Sequence, residues 1–323
     1  MPLNIQTGPS AEPLRVIVTG GPGVGKTTFA AGAPDVVFLL AANEGAGDLD
    51  IARIPIGTWG ALRSSVRQLA TEAHPYRTVV LDTVDAFERL CWEHLTAKAG
   101  VDSIEKVGGF GKGYVAAVEE QQGLIVDIDK LRANGIAVIV LAHTAIKRYD
   151  DPEGSPYDRH ALALHKEAVK LWTGWADAVL FAQLDVRLVE GTAKDEKAKG
   201  KARDVKPARL LWTEERAAYT AKNRQGLPES IPLDWSKFAA AIQWDRRHPK
   251  RAPVAPPPAG EPPSLGALQS MLADAMKRGW NRADALDLCA PATTSADVSP
   301  ERRAGLIAAL RNPPPNPNQP EAT

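Results

Sequence analysis

Cysteine is nearly absent from this sequence, which contains only Cys91 and Cys289 among its 323 residues. Two cysteines so far apart exclude a scaffold held together by several disulfides, and they lack the spacing of a zinc site. Such scarcity is typical of a protein from a reducing compartment. We therefore expect a cytoplasmic location.

Long hydrophobic runs and net charge are missing as well. No apolar stretch reaches the roughly 18 residues that a membrane-spanning helix needs, and the first residues do not have the pattern of a secretory signal. The 39 lysines and arginines balance 39 aspartates and glutamates, so the formal net charge is zero. We expect no membrane partner, and any site for a polyanion has to be built locally.

Proline is unevenly distributed, with 12 of the 26 prolines in residues 1–248 and 14 in the last 75 residues. Because proline lacks an N–H and restricts the residue before it, the segment 248–263 is predicted to be a semi-rigid linker. Apolar residues at helical spacing follow it. The predicted organisation is an extension (1–13), a core (14–247), the linker, a small helical module (264–311) and a disordered tail (312–323).

The core alternates short apolar runs with amphipathic segments. The runs lie at residues 15–19 (RVIVT), 36–42 (VVFLLAA), 78–82 (TVVLD), 137–143 (AVIVLAH) and 178–183 (AVLFAQ). Nearly continuous apolar strands separated by helices indicate a parallel sheet that is covered on both faces. The predicted fold is therefore α/β, with a mainly parallel central sheet flanked by helices and a β-hairpin near residues 185–213.

A glycine-rich loop follows the first predicted strand and precedes a predicted helix. It fits the phosphate-loop pattern GxxxxGK[ST]. Glycines allow successive backbone N–H groups to form a concave anion site. Lys26 would reach the β- and γ-phosphates of ATP, and the Thr27 hydroxyl would bind Mg²⁺. The loop consists of Gly20, Gly21, Pro22, Gly23, Val24, Gly25, Lys26, Thr27 and Thr28.

Three polar residues lie at the ends of other predicted strands, where open α/β sheets bind ligands. Asp82 has the position of a Walker B acid that holds Mg²⁺, although an aspartate after a strand is also a common helix cap. Glu44 is the candidate for activating water, with Asp48 and Asp50 as alternatives. His143 is a candidate contact of the γ-phosphate, or a capping or packed histidine.

The segments GGPGVGKTT, VVFLLAANEG, TVVLDTVDAFERLCW, GGFGKGY, VIVLAHT and AKNRQGLPESIPL together resemble the phage and prophage RecA-like ATPases. These are AAA-domain nucleotide-binding phage proteins and include the Sak-type single-strand annealing ATPases. The resemblance spans residues 14–240. It implies a RecA-like P-loop fold, ATP and Mg²⁺ as cofactors, and a homo-oligomeric ring or filament with nucleotide between subunits, located in the host cytoplasm if phage-encoded.

The resemblance also implies roles for individual residues. Glu44 would activate water, and Asp82 would be the Walker B acid. His143 would be the γ-phosphate sensor, where recombinases generally have glutamine. Lys222 and Arg224 match the paired cations that RecA-like ATPases insert into a neighbouring subunit's nucleotide site, although a basic surface turn would have the same sequence.

The resemblance further implies that two loops bind single-stranded DNA. The first, 103–114, contains Phe110, Lys112 and Tyr114, and aromatics interleaved with cations are typical of sequence-tolerant binding. The second, 144–170, contains Lys147 and Arg148. A third basic stretch, 194–209, has seven Lys/Arg against three Asp/Glu and is more typical of a solvated hairpin tip.

The predicted function is that of a Mg²⁺-dependent ATPase acting on single-stranded DNA in phage recombination, annealing or replication. A nucleotide-switched annealing or binding module with little turnover is the main alternative, and a phosphate-loop kinase is a weaker one. The C-terminal module has no chemical signature. It is a candidate for recruiting a partner such as a single-strand binding protein.

Overall fold

The computed structural model describes residues 13–42, 49–152, 154–185 and 208–247. Several predictions fall outside these ranges: residues 1–12 of the extension, the candidates Glu44 and Asp48, most of the basic stretch 194–209, and everything from the linker onward. The chain divides into two units, 1–253 and 254–323, and every described residue belongs to the first.

The described core alternates strands and helices along the chain. The strands are β1 (Arg15–Gly20), β2 (Val36–Ala41), β3 (Ala52–Ile56), β4 (Thr78–Asp82), β5 (Ala137–Tyr149), β6 (Tyr157–Leu162), β7 (Ala178–Asp185), β8 (Ala208–Trp212), β9 (Lys222–Asn223) and β10 (Ser230–Pro232). The helices are α1 (Lys26–Ala31), α2 (Trp59–Thr71), α3 (Val84–Ala99), α4 (Lys112–Ala133), α5 (Lys166–Trp175), α6 (Trp235–Ala241) and α7 (Trp244–Arg247), with a 3₁₀ turn at Ile104–Lys106.

The strands form one sheet in the order β10-β8-β7-β1-β5-β4-β2-β3. The pairs from β7 through β3 are parallel, whereas β8 and β10 are antiparallel at one edge. The predicted α/β fold with a mainly parallel sheet is confirmed. The first strand of the predicted hairpin, 185–190, lies outside the described residues except for Asp185, and β8 pairs antiparallel with β7, which the sequence predicts as a separate strand at 178–183.

Apolar layers cover both faces of this sheet. Alternate residues of β1 point to opposite faces, so Val16 and Val18 pack with Phe29 of α1, while Ile17 belongs to the layer that also contains Leu124 of α4. All five of these residues are buried because neither face of a covered parallel sheet meets water. No helix in the described ranges has both the length and the apolarity to cross a membrane.

The segment 144–170 differs from its prediction as a loop. β5 does not end at His143 but continues to Tyr149, and residues 144–149 pair with β6 in an antiparallel hairpin. The rest of the segment leads into α5. His143 is nevertheless the last residue of β5 that pairs with β1, where it is in register with Gly20.

Candidate nucleotide-binding site

The glycine-rich loop leaves β1 at Gly20 and enters α1 at Lys26. A Cβ atom on Gly20 would lie 2.5 Å from the carbonyl oxygen of Ala182 in β7, so only glycine allows β1 and β7 to pair this closely. Gly23 and Gly25 have φ angles of 73° and 110°, in the left-handed region that glycine adopts readily. The glycines therefore permit both the strand pairing and the curvature of the loop.

Lys26 lies inside this loop with only 5 % of its surface exposed. Its ammonium donates hydrogen bonds to the carbonyl oxygens of Gly20 and Gly21, at 3.0 and 3.1 Å. A lysine ammonium has three donors on a flexible stem, so it can turn from these carbonyls to phosphate oxygens. The fold thus holds a positive charge where the sequence predicts the β- and γ-phosphates.

Thr27 and Asp82 meet at the same end of the sheet. The Thr27 hydroxyl donates to Oδ2 of Asp82 at 2.9 Å, and Asp82 is 2 % exposed. A hydroxyl and a carboxylate at this separation match the oxygen ligands of Mg²⁺, which keeps several waters and takes few protein ligands. The residues therefore fit the predicted cation, and Asp82 occupies the expected position at the end of β4.

His143 is held by Asp85, a residue of α3. Its backbone N–H donates to Oδ1 of Asp85 at 2.9 Å, and its ring Nδ1 lies 3.0 Å from Oδ2. Burial alone would raise the pKa of Asp85, but the hydrogen bonds and charge of His143 outweigh it and lower that pKa. The carboxylate orients the imidazole at the edge of the pocket.

Glu88 is a second buried acid of α3, one turn after Asp85 and farther from the pocket. Glu88 is 4 % exposed and accepts hydrogen bonds from the backbone N–H of His165 and from the side chain of Gln121. Burial raises its pKa despite these bonds. The ring of His165 stacks on Tyr114, with centroids 4.3 Å apart and planes at 3°. Contacts on both sides of α3, which carries Asp85 and Glu88, thus link the His143 region to the first turn of α4.

Lys26, Thr27, Asp82 and His143 line a cavity of about 290 Å³ at the carboxyl end of the parallel strands. Arg209 of β8 also reaches this cavity, although the sequence indicated it only as the last member of a basic stretch. The described lining residues are Pro22, Gly23, Gly25, Lys26, Thr27, Thr28, Asp82, Thr83, His143 and Arg209.

The two segments predicted to bind DNA differ in what they expose. Phe110 is fully exposed at the tip of a loop in which Gly108, Gly109, Phe110 and Gly111 all have positive φ angles. Lys112 and Tyr114 lie in the first turn of α4 rather than in the loop. Tyr114 is engaged with His165, so Phe110 is the aromatic side chain of this segment that faces solvent.

In the second segment, Lys147 and Arg148 point to different surroundings. The Lys147 ammonium donates to the carbonyl oxygen of Leu164, and burial lowers its pKa although the charge of nearby Glu88 opposes this. Arg148 is exposed and lies 3.5 Å from Asp150. Arg148 is therefore the more accessible cation of the two.

Lys222 and Arg224 lie outside the cavity lining. The Lys222 ammonium donates to the carbonyl oxygens of Thr173 and Ala176, both at 2.6 Å, and to that of Gly174 at 3.2 Å. It thereby satisfies the carbonyls at the end of α5. Arg224 is exposed.

Comparison with known proteins gives a family and two remote structural likenesses. Residues 12–225, about two thirds of the chain, match the family described as an AAA domain. No curated protein matches the chain. The chain is similar to flagellar accessory protein FlaH from Methanocaldococcus jannaschii, with 10% identity over 65% of this chain and 91% of that chain and a TM-score of 0.31.

It is also similar to an ATPase from the type III secretion system of pathogenic bacteria, with 9% identity over 93% of this chain and 81% of that chain and a TM-score of 0.33. Likenesses at TM-scores this low carry no argument, so the assignment depends on the family match and on the phosphate loop. By both criteria, the chain belongs to the AAA domain family, with the phosphate loop of a nucleotide-binding ATPase domain.

Proposed function

We propose that this protein is a Mg²⁺-dependent ATPase that assembles as a RecA-like homo-oligomer on single-stranded DNA in phage recombination, annealing or replication. The observation that carries the enzymatic part is the Thr27–Asp82 hydrogen bond of 2.9 Å, in the same cavity as the buried Lys26. This arrangement provides a cation for phosphate oxygens and two oxygen ligands for a metal in one place.

Different residues of the chain have different roles in phosphoryl transfer. Lys26 and the backbone N–H groups of the loop bind the phosphates, and Thr27 and Asp82 hold Mg²⁺. A Mg²⁺ ion held by Thr27 and Asp82 would supply positive charge that neutralises the charge developing on the phosphates. In this proposal Glu44 orients the attacking water, and His143, oriented by Asp85, contacts the terminal phosphate.

The contacts from His143 to Tyr114 support a role for the same site in controlling DNA binding. His143 lies at the cavity and bonds to Asp85, and Glu88 on the same face of α3 bonds to the residue whose ring covers Tyr114. Loss of the terminal phosphate would therefore change the support of the loop that carries Phe110. We propose that this path couples ATP hydrolysis to DNA affinity.

The DNA-binding part is supported by the exposure of Phe110 on a glycine-rich tip. Stacking of one base on an aromatic side chain contributes about 1–3 kcal/mol. Phe110→Ala should therefore weaken binding of labelled oligo(dT) by roughly 5- to 150-fold in fluorescence anisotropy. Val126→Ala removes another exposed apolar side chain from α4 and should leave the affinity unchanged; equal affinities for all three proteins would remove Phe110 from the DNA site.

ATP hydrolysis by the Lys26→Ala variant tests the enzymatic part and separates it from the nucleotide-switch alternative. The variant should lose ATP binding and turnover because phosphate oxygens lose their buried cation. An ATP-driven protein should then also lose annealing of complementary oligonucleotides. If the wild type binds ATP with negligible turnover and the variant still anneals DNA, the protein is a binding module rather than an ATPase.

A further inference from the structure

We propose that Arg209 binds the α- and β-phosphates of the nucleotide in the same subunit that supplies the phosphate loop. This inference rests on the proposed function, because it requires nucleotide in the cavity. Arg209 lines that cavity together with Lys26 and Thr27. Its Nη1 atom lies 3.1 Å from the position that a Cβ atom on Gly25 would take, so the guanidinium lies directly against the loop.

Strand pairing fixes Arg209 in this place. Arg209 is in register with Leu184 of β7, and its carbonyl oxygen accepts a hydrogen bond of 2.8 Å from the N–H of Leu233. Residues two apart on a strand point to the same face. Leu211 is fully buried in the layer that contains Phe29 of α1. Arg209 therefore lies on the same face of the sheet as α1. It is exposed, whereas Leu211 on that face is buried.

The guanidinium is available for an anion. Among the described residues, no hydrogen bond or ion pair holds it, in contrast to the Lys222 ammonium with its three carbonyl partners. A planar guanidinium presents its N–H groups in a fork that matches two phosphate oxygens at once. Arg209 thus adds a second cation to the cavity that already contains Lys26.

The order of strands indicates which phosphates Arg209 would contact. The loop follows β1, and the sequence of neighbours is β8-β7-β1-β5-β4. Asp82 on β4 and His143 on β5 lie to one side of the loop, so a Mg²⁺ ion held by Thr27 and Asp82 would supply its charge on the side of the terminal phosphate. Arg209 lies to the other side. We therefore expect it to contact the α- and β-phosphates, which ADP and ATP share. This role differs from that of a cation that stabilises the transferred γ-phosphoryl group.

Equilibrium titrations with Mg·ADP and with a non-hydrolysable Mg·ATP analogue test this assignment. Arg209→Ala should raise the Kd of both nucleotides by a similar factor of about ten or more, the loss expected for a hydrogen bond to a charged group. Arg209→Lys keeps the charge without the fork and should recover part of the affinity. Arg53→Ala, an exposed arginine on β3 at the opposite edge of the sheet, is the matched control and should bind like the wild type.

Two results would overturn the inference. Unchanged Kd values for both nucleotides in Arg209→Ala would show that the side chain does not bind phosphate. A loss confined to the ATP analogue, or to turnover alone, would place Arg209 at the terminal phosphate instead. Other results would contradict the proposed function itself. In that case the wild type would bind neither nucleotide, or Lys26→Ala would bind ADP and the ATP analogue with wild-type affinity.

Discussion

Individual residues of the candidate nucleotide-binding site have defined hydrogen-bond partners within the chain. Lys26 is held by loop carbonyls, Thr27 by Asp82, and His143 by Asp85. Each partner fixes a donor or acceptor near the position where phosphate or metal oxygens are expected. Such preorganisation lowers the cost of arranging the site when a ligand binds.

Lys222 illustrates how one side chain can serve the fold and a proposed partner subunit. Lys222→Met removes three hydrogen bonds at the end of α5 and should lower the free energy of unfolding by about 1–3 kcal/mol, because carbonyl oxygens in two partly buried contacts lose a charged donor. Arg224→Ala removes an exposed side chain and should leave that free energy within about 0.5 kcal/mol of the wild type. Urea denaturation of both variants measures the difference.

ATP turnover then separates the structural role from the proposed role between subunits. Arg224→Ala should lose most turnover and keep nucleotide binding if it completes a neighbour's site, and wild-type turnover per subunit should rise with protein concentration. A fully active Arg224→Ala variant would exclude the shared-site arrangement.

At the scale of elements, an ion pair joins the first residue of β1 to the residue before β7. The guanidinium and backbone N–H of Arg15 both donate to the Asp177 carboxylate, at 2.7 to 3.1 Å. Burial alone would raise the pKa of Asp177, but the hydrogen bonds and charge of Arg15 outweigh it and lower that pKa below the ordinary value of 3.8. The ionised form is therefore bound more tightly in the folded state.

The sign of the resulting pH dependence follows from linkage. Because the unfolded chain takes up the proton at higher pH than the folded one, this contribution is complete well above pH 3.8 and is lost as pH falls through the lowered pKa. Asp177→Asn should reduce the free energy of unfolding by about 1–3 kcal/mol at pH 7. In urea denaturation the gap to the wild type should shrink below pH 3.8; a gap that does not change with pH would contradict the ion-pair explanation.

Helix α3 carries the proposed coupling between the cavity and the DNA loop. Asp85→Asn should lower the increase in ATP turnover caused by single-stranded DNA more than it lowers the basal rate, since the imidazole of His143 loses its carboxylate. Turnover assays with and without oligo(dT) measure both rates. Equal fractional losses of the two rates would show that Asp85 only positions His143 and does not couple the sites.

Local sequence patterns predict the elements that flank the phosphate loop well, because apolar runs and turn residues within a few positions determine where these elements begin and end. The sequence predicts a helix directly after the phosphate loop, where α1 (Lys26–Ala31) is observed, and a strand at 15–19, where β1 ends one residue later at Gly20. The β5–β6 hairpin and the position of Arg209 could not be predicted in this way. The paired segments 144–149 and 157–162 contain charged side chains, which are as typical of a loop as of an exposed hairpin. The position of Arg209 depends on the pairing of β8 with β7, and a basic stretch looks the same whether it faces solvent or a cavity.

At the scale of the whole molecule, a formal net charge of zero is consistent with DNA binding through a few local groups. Exposed Arg148 and Phe110 would repeat around a ring or along a filament. The affinity for single-stranded DNA should fall as salt rises, with a slope set by the number of phosphate contacts per subunit. Anisotropy titrations over a range of NaCl concentrations measure this slope; binding that is independent of salt would exclude phosphate contacts as a major contribution.

The central claim is tested most directly by the rate of ATP hydrolysis in the presence of Mg²⁺, measured with and without single-stranded DNA for the wild type and for Asp82→Asn. We expect hydrolysis by the wild type that single-stranded DNA increases, and a loss of at least 100-fold in the variant, of the order seen when one group that stabilises transition-state charge is removed. Equal rates for the two proteins, or no hydrolysis by the wild type under any of these conditions, would contradict the account.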